Sequence, residues 1–81
     1  MTVRVLPFAR IREIVGASEL VRGVTEGATV ADLWDALARE YPALDPLRAS
    51  TRLVRNGTFV KSETTLADGD ELGLLPPYGG G

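Results

Sequence analysis

Thr29-Val30-Ala31-Asp32-Leu33-Trp34-Asp35-Ala36-Leu37-Ala38-Arg39-Glu40-Tyr41-Pro42 is the stretch from which the fold follows. Val30, Leu33, Trp34, Leu37 and Tyr41 recur at helical spacing and form one apolar stripe. Thr29 is placed to cap the first turn, and Asp32, three residues on, suits the positive end of the helix. Pro42 stops the run. Trp34 lies on the stripe and reads as core rather than as a platform for a ligand. Such a helix needs an apolar surface to cover, and the remaining chain offers strands.

Towards the N-terminus, residues 3–8 read as a first strand. Val3, Val5 and Pro7 point to one face, and Arg4, Leu6 and Phe8 to the other. Pro7 lacks a ladder donor, so either the strand ends near Leu6 or that position faces away from its partner. Residues 9–15 have helix-forming content and stop at Gly16, suited to the left-handed residue that closes a helix. Residues 19–24 form a weaker strand. After Pro42, residues 43–49 read as a connection with a short helical piece. Asn56-Gly57 between residues 52–55 and 58–61 is a strong hairpin cue. Asp68-Gly69 marks another turn, and residues 71–75 form the last strand, with Leu72 and Leu74 on one face and Gly73 and Leu75 on the other. The first and last strands are apolar on both faces, which suits central positions. The fold class is α+β: a mixed sheet cradling one main helix, with a short helix after the first strand.

Composition narrows the function. Eighty-one residues make one domain, placed at 1–75, with 76–81 as a tail. The chain contains no cysteine and no histidine. A disulfide frame, a zinc-finger site, a cysteine nucleophile and a histidine-based triad are all excluded. Asp68-Gly69-Asp70 lacks the ligand ladder of a calcium loop and reads as a turn, so no metal is expected. A net charge of −2 argues against nucleic acid. No apolar run can cross a bilayer and no signal-like segment opens the chain, so no membrane partner and a cytoplasmic address are expected. The basic residues are eight arginines and one lysine, Lys61, an imbalance to which the sequence assigns no role.

The chain closes Leu75-Pro76-Pro77-Tyr78-Gly79-Gly80-Gly81. The two prolines end the strand, and glycines follow that can thread a narrow channel. Two readings stand: the Gly81 carboxylate is the reactive group, or the end is an idle terminus.

Four stretches together resemble the MoaD/ThiS family of ubiquitin-like sulfur carriers, most nearly its molybdopterin branch. They are residues 5–16, Gly27-Ala28-Thr29-Val30, Leu66-Ala67-Asp68-Gly69-Asp70-Glu71-Leu72, and Pro76-Pro77-x-x-Gly80-Gly81. The resemblance implies a β-grasp, ubiquitin-like fold with a flexible tail. It also implies that the Gly81 carboxylate is adenylated by a ubiquitin-activating-like adenylyltransferase that consumes ATP. A sulfur donor enzyme then converts it to a thiocarboxylate, which is delivered to the larger subunit of molybdopterin synthase. On this reading the chain binds no cofactor and supplies no catalytic side chain. Gly79 and Gly80 thread the partner's channel, while Phe8, Phe59, Leu75, Pro76 and Pro77 dock on partners beside the tail. For Phe59 and Leu75 the residues leave a core role equally open. Pro7, where the family often has an aromatic or aliphatic residue, and the third glycine, Gly79, depart from the family pattern.

Three alternatives remain open: sulfur delivery to thiazole, cysteine or tRNA; a ubiquitin-like modifier joined through Gly81 to target lysines; and an interaction module with an idle tail. The short helix after strand one and the Pro-Pro element favour the molybdopterin branch.

Overall fold

The structure, a computed structural model, describes residues 1–77. Tyr78, Gly79, Gly80 and Gly81 lie outside the described residues, so the expectations on the three glycines find no structural counterpart. The elements run β1 (Thr2–Pro7), α1 (Ala9–Val15), β2 (Leu20–Gly23), α2 (Val30–Glu40), a 3₁₀ segment (Pro42–Ser50), β3 (Arg52–Arg55), β4 (Thr58–Val60) and β5 (Glu71–Leu75).

These five strands form one sheet in the order β2-β1-β5-β3-β4. β1 and β5 are parallel, and every other pairing is antiparallel. The two strands apolar on both faces therefore occupy inner positions, as the sequence suggests. α2 covers one face of the sheet. Val30, Leu33, Trp34 and Leu37 are buried against Val3, Val5, Leu72 and Leu74 in a core completed by Ile11, Leu44 and Leu66. Trp34 is core, as its place on the stripe indicates. No helix among the described residues is long and apolar enough to cross a membrane.

Local chemistry explains the boundaries. The Thr29 hydroxyl accepts from the Asp32 N–H, and the Asp32 carboxylate accepts from the Thr29 N–H at 2.9 Å, a reciprocal capping box. Gly16 closes α1 with a left-handed φ of 78° and donates its N–H to the Arg12 carbonyl. Asn56 and Gly57 have φ of 50° and 85°, the paired positive values of a two-residue hairpin turn.

Pro7 lies inside β1, so the strand is not shortened at Leu6, and the second of the two readings applies. Arg4 donates to the carbonyl of Asp70, just before β5, and Phe8 to that of Leu74 within it. Alternate residues therefore turn their nitrogens towards β2. β2 pairs no further along β1 than Val5, opposite Leu20, so the position Pro7 leaves without a donor has no acceptor to satisfy. Other edges move slightly: Phe8 falls just past β1, Glu19 and Val24 fall outside β2, and Lys61 lies beyond β4. The connection after Pro42 differs more, being 3₁₀ throughout rather than a turn with a short helical piece. Pro42 and Pro46 have no N–H for α-type bonding, and the Leu44 N–H donates instead to the Tyr41 carbonyl three residues back, at 2.9 Å.

The acidic turn is structural. The Asp68 carboxylate accepts from the Thr2 N–H at 2.7 Å, and the Gly69 N–H donates to the Thr2 carbonyl at 2.8 Å. Buried Asp70 accepts from the Ala67 N–H at 2.8 Å and from the Asn56 side-chain amide at 2.9 Å. One carboxylate thus ties the start of β5 to the hairpin turn.

Candidate docking face and the root of the tail

Residues paired directly across strands share a face of the sheet. On the face away from α2, Leu6 pairs with Gly73, Gly73 with Val54, and Val54 with Phe59. Two residues further along β5, Leu75 pairs with Arg52. A band of apolar side chains therefore crosses four strands at the end from which the chain leaves the sheet.

Gly73 is the low point of this band. A Cβ built there would meet a Leu75 methyl at 3.3 Å, the Phe8 ring at 3.5 Å and the Val54 Cβ at 3.5 Å. Phe8 and Leu75 thus close over a residue with no side chain of its own. Phe59 stands beside them, 62% exposed, and Phe8 is 38% exposed. The core alternative for Phe59 is thereby removed, because a ring so open to solvent fills no interior. Leu75 is half-buried within the surface band, turned away from the core that Leu72 and Leu74 enter. Pro76, half-buried, and Pro77, exposed, follow at once. The structure thus sets both Phe8 and Leu75 over Gly73 and places Phe59 on the same face.

The sequence did not point to Leu6, Val54 and Arg52 as members of this surface. The strand parity that identified Phe8 and Leu75 also places Leu6. Val54 and Arg52 join only through the pairing of β3 with β5, which no local pattern encodes.

The charges on this face are uneven. Near the start of β1, Arg4 is paired with both Glu19 and Glu71. At the tail end, guanidinium groups lie over the two aromatic rings: Arg12 is 5.6 Å from the Phe8 centroid and Arg52 is 5.3 Å from that of Phe59. Arg12 also donates to the Pro7 carbonyl at 3.2 Å. A separate groove of about 620 Å³, lined by Trp34, Pro46 and Leu53, opens on the helix side of the sheet, away from these residues. Among the described residues, no group of three His, Cys, Asp or Glu could hold a metal ion.

The arrangement holds an apolar surface at the root of a tail, with no nucleophile or base in its midst.

A model of the ThiS family matches residues 5–81. The chain belongs to the ThiS family. Among ThiS-family relatives, the molybdopterin synthase sulfur carrier subunit of Chlamydomonas reinhardtii is 34% identical over 83 residues, covering all of both chains. Small archaeal modifier protein 1 of Haloferax volcanii is 35% identical over 82 residues, covering 91% of this chain and 94% of the relative. The crystal structure of that Haloferax protein superposes with a TM-score of 0.87 at 31% identity, covering both chains fully. A Helicobacter pylori structure described as a complex of subunits 1 and 2 of molybdopterin-converting factor matches with a TM-score of 0.70 at 26% identity, again over both full chains. These matches make the fold a β-grasp and the chain a sulfur carrier of the MoaD/ThiS type, as the sequence resemblance implies.

Proposed function

We propose that the chain bears its sulfur as a thiocarboxylate on Gly81 and delivers it, as the small subunit of a molybdopterin synthase, to a larger subunit that performs the transfer. The observation that carries this reading is the solvent-facing band of Leu6, Phe8, Val54, Phe59 and Leu75 at the root of the tail. An apolar patch on a face that the protein's own helix leaves uncovered is a binding surface. The full-length similarity to carrier subunits of molybdopterin synthase supports the branch, and the two-subunit Helicobacter complex supports a larger partner.

The chemistry divides between the chain and its partners. In an adenylyltransferase of the ubiquitin-activating type, a Gly81 carboxylate oxygen attacks the α-phosphorus of ATP and pyrophosphate leaves. Hydrosulfide supplied by a donor enzyme then attacks the glycyl carbonyl carbon, the bond from that carbon to the AMP oxygen breaks, and AMP and a proton depart, leaving the thiocarboxylate. The chain contributes an acyl group without a Cβ to obstruct either attack. It contains no cysteine or histidine, so acid, base and nucleophile come from the partners. The docking face fixes the root of the tail, which turns presentation of the carboxyl group into an event within one complex.

A second reading has its own support. The similarity to small archaeal modifier protein 1 makes joining of Gly81 to protein lysines the alternative fate of the same activated carboxyl. The two readings share adenylation and differ in the acceptor.

Appending one residue after Gly81 tests both. The added residue moves the carboxylate out of register, and sulfur transfer reconstituted with the activating enzyme, sulfur donor and larger subunit should be lost. Full turnover by the extended, unprocessed chain would remove Gly81 as the reactive end.

A further inference from the structure

Arg52 differs from the other arginines of the docking face in what it contacts. Arg4 is occupied by Glu19 and Glu71, and Arg12 spends its Nε on the Pro7 carbonyl. Arg52 is exposed and, among the described residues, has neither a carboxylate partner nor a hydrogen-bond acceptor. Its one specific contact is the Phe59 ring, 5.3 Å from guanidinium to centroid. Its backbone pairs with Leu75, the last residue of β5. A guanidinium held over a ring keeps its planar fork of donors turned outwards. Ion pairs neutralise one end of the face, and two cations stand at the other: Arg12, tied by its Nε to the Pro7 carbonyl, and Arg52, whose guanidinium donates to no acceptor among the described residues.

We propose that Arg52 is a specificity-determining cation of the docking face, recognising an aspartate or glutamate at the rim of the partner's apolar pocket for Phe59 and Leu75. The inference rests on the proposed synthase reading and commits to its larger subunit as the partner. The argument is charge complementarity. An apolar patch alone accepts many hydrophobic surfaces, whereas an unpaired guanidinium beside it favours a partner with a carboxylate there and disfavours one with a lysine or arginine. A rim pair of this kind speeds association and weakens with salt, while the apolar contacts do not. Arg52 touches no reacting atom, so its effect falls on binding and not on the acyl group.

The test is binding of the full chain to the larger molybdopterin synthase subunit of the same genome, followed calorimetrically at low and high ionic strength. Arg52→Glu should lower affinity on the order of 100-fold at low salt, with the gap narrowing at high salt. Arg52→Lys should stay within about tenfold of the parent, because a point charge keeps the attraction but not the fork. Phe59→Ala should lose affinity to a similar degree at both salt concentrations. Thermal melting should be unchanged in the Arg52 variants, since that side chain has no buried partner. Parent-like binding by Arg52→Glu would overturn the proposal. So would equal losses in Arg52→Ala at both ionic strengths, which would make Arg52 a support for the ring and nothing more. If the parent chain itself fails to bind the larger subunit, the synthase reading falls, and the partner assignment for Arg52 falls with it.

Discussion

Asp70 illustrates what a single residue does in this fold. Burial pushes its carboxyl pKa upwards, but the Ala67 N–H, the Asn56 amide and the nearby Arg55 charge together outweigh that, and the pKa lies below the ordinary aspartate value. A group whose folded pKa is depressed favours the native state above its unfolded pKa, and that contribution disappears as pH falls through the folded value. Urea unfolding should therefore show Asp70→Ala destabilised by about 1–2 kcal/mol at neutral pH, the cost of two half-buried hydrogen bonds to a carboxylate lost at once. The parent and the variant should converge at strongly acidic pH. A difference that persists unchanged there would mean that the charge is not what matters. The Asp68-Gly69-Asp70 cluster was legible as a turn from its residue types. That Asp70 also braces Asn56, fourteen positions earlier, was not legible, because the partner comes from a different part of the chain.

At the level of elements, legibility followed how local the signal was. The apolar stripe and Thr29 cap of α2, the glycine stop of α1 and the Asn56-Gly57 hairpin all depend on neighbours within a few residues, and all three appear in the structure, with Asp32 adding the reciprocal bond of a capping box. The 3₁₀ segment was only partly legible. Its full length reflects the two prolines, and fully buried Leu44 belongs to the core only because that segment packs beneath α2. The candidate docking face was legible in halves: strand parity exposes Phe8 and Leu75, while Val54 and Arg52 arrive through sheet register. The hairpin matters here because β4 carries Phe59. Gly57→Ala places a Cβ at a φ of 85° and should cost about 1 kcal/mol in denaturant unfolding. Asn56→Ala should cost more, since it also removes the Nδ2 bond to Asp70 and the Oδ1 acceptor of the Glu71 N–H. Should both variants prove neutral, the turn would not be what sets the β3–β4 register.

At the scale of the molecule, one sheet serves two purposes. Its inner face, with Val3, Val5, Leu72 and Leu74, is buried beneath α2 and holds the fold. Its outer face, with Phe8, Val54, Phe59 and Leu75, remains open beside the last strand. Gly73 marks the outer face, since its missing side chain leaves room for Phe8 and Leu75 to lie over it. This division fits the proposed carrier role, in which the fold presents a surface and the chemistry takes place at a terminal carboxyl group and in partners.

That account stands or falls on the covalent state of Gly81. The direct measurement is the intact mass of the chain purified from cells that keep its own pathway, with fragmentation to locate any change. A species heavier by the difference between sulfur and oxygen, with the change confined to Gly81, is the predicted result. Only unmodified chain, even after incubation with ATP, the activating enzyme and a sulfur donor, would contradict the thiocarboxylate and favour conjugation or an idle tail.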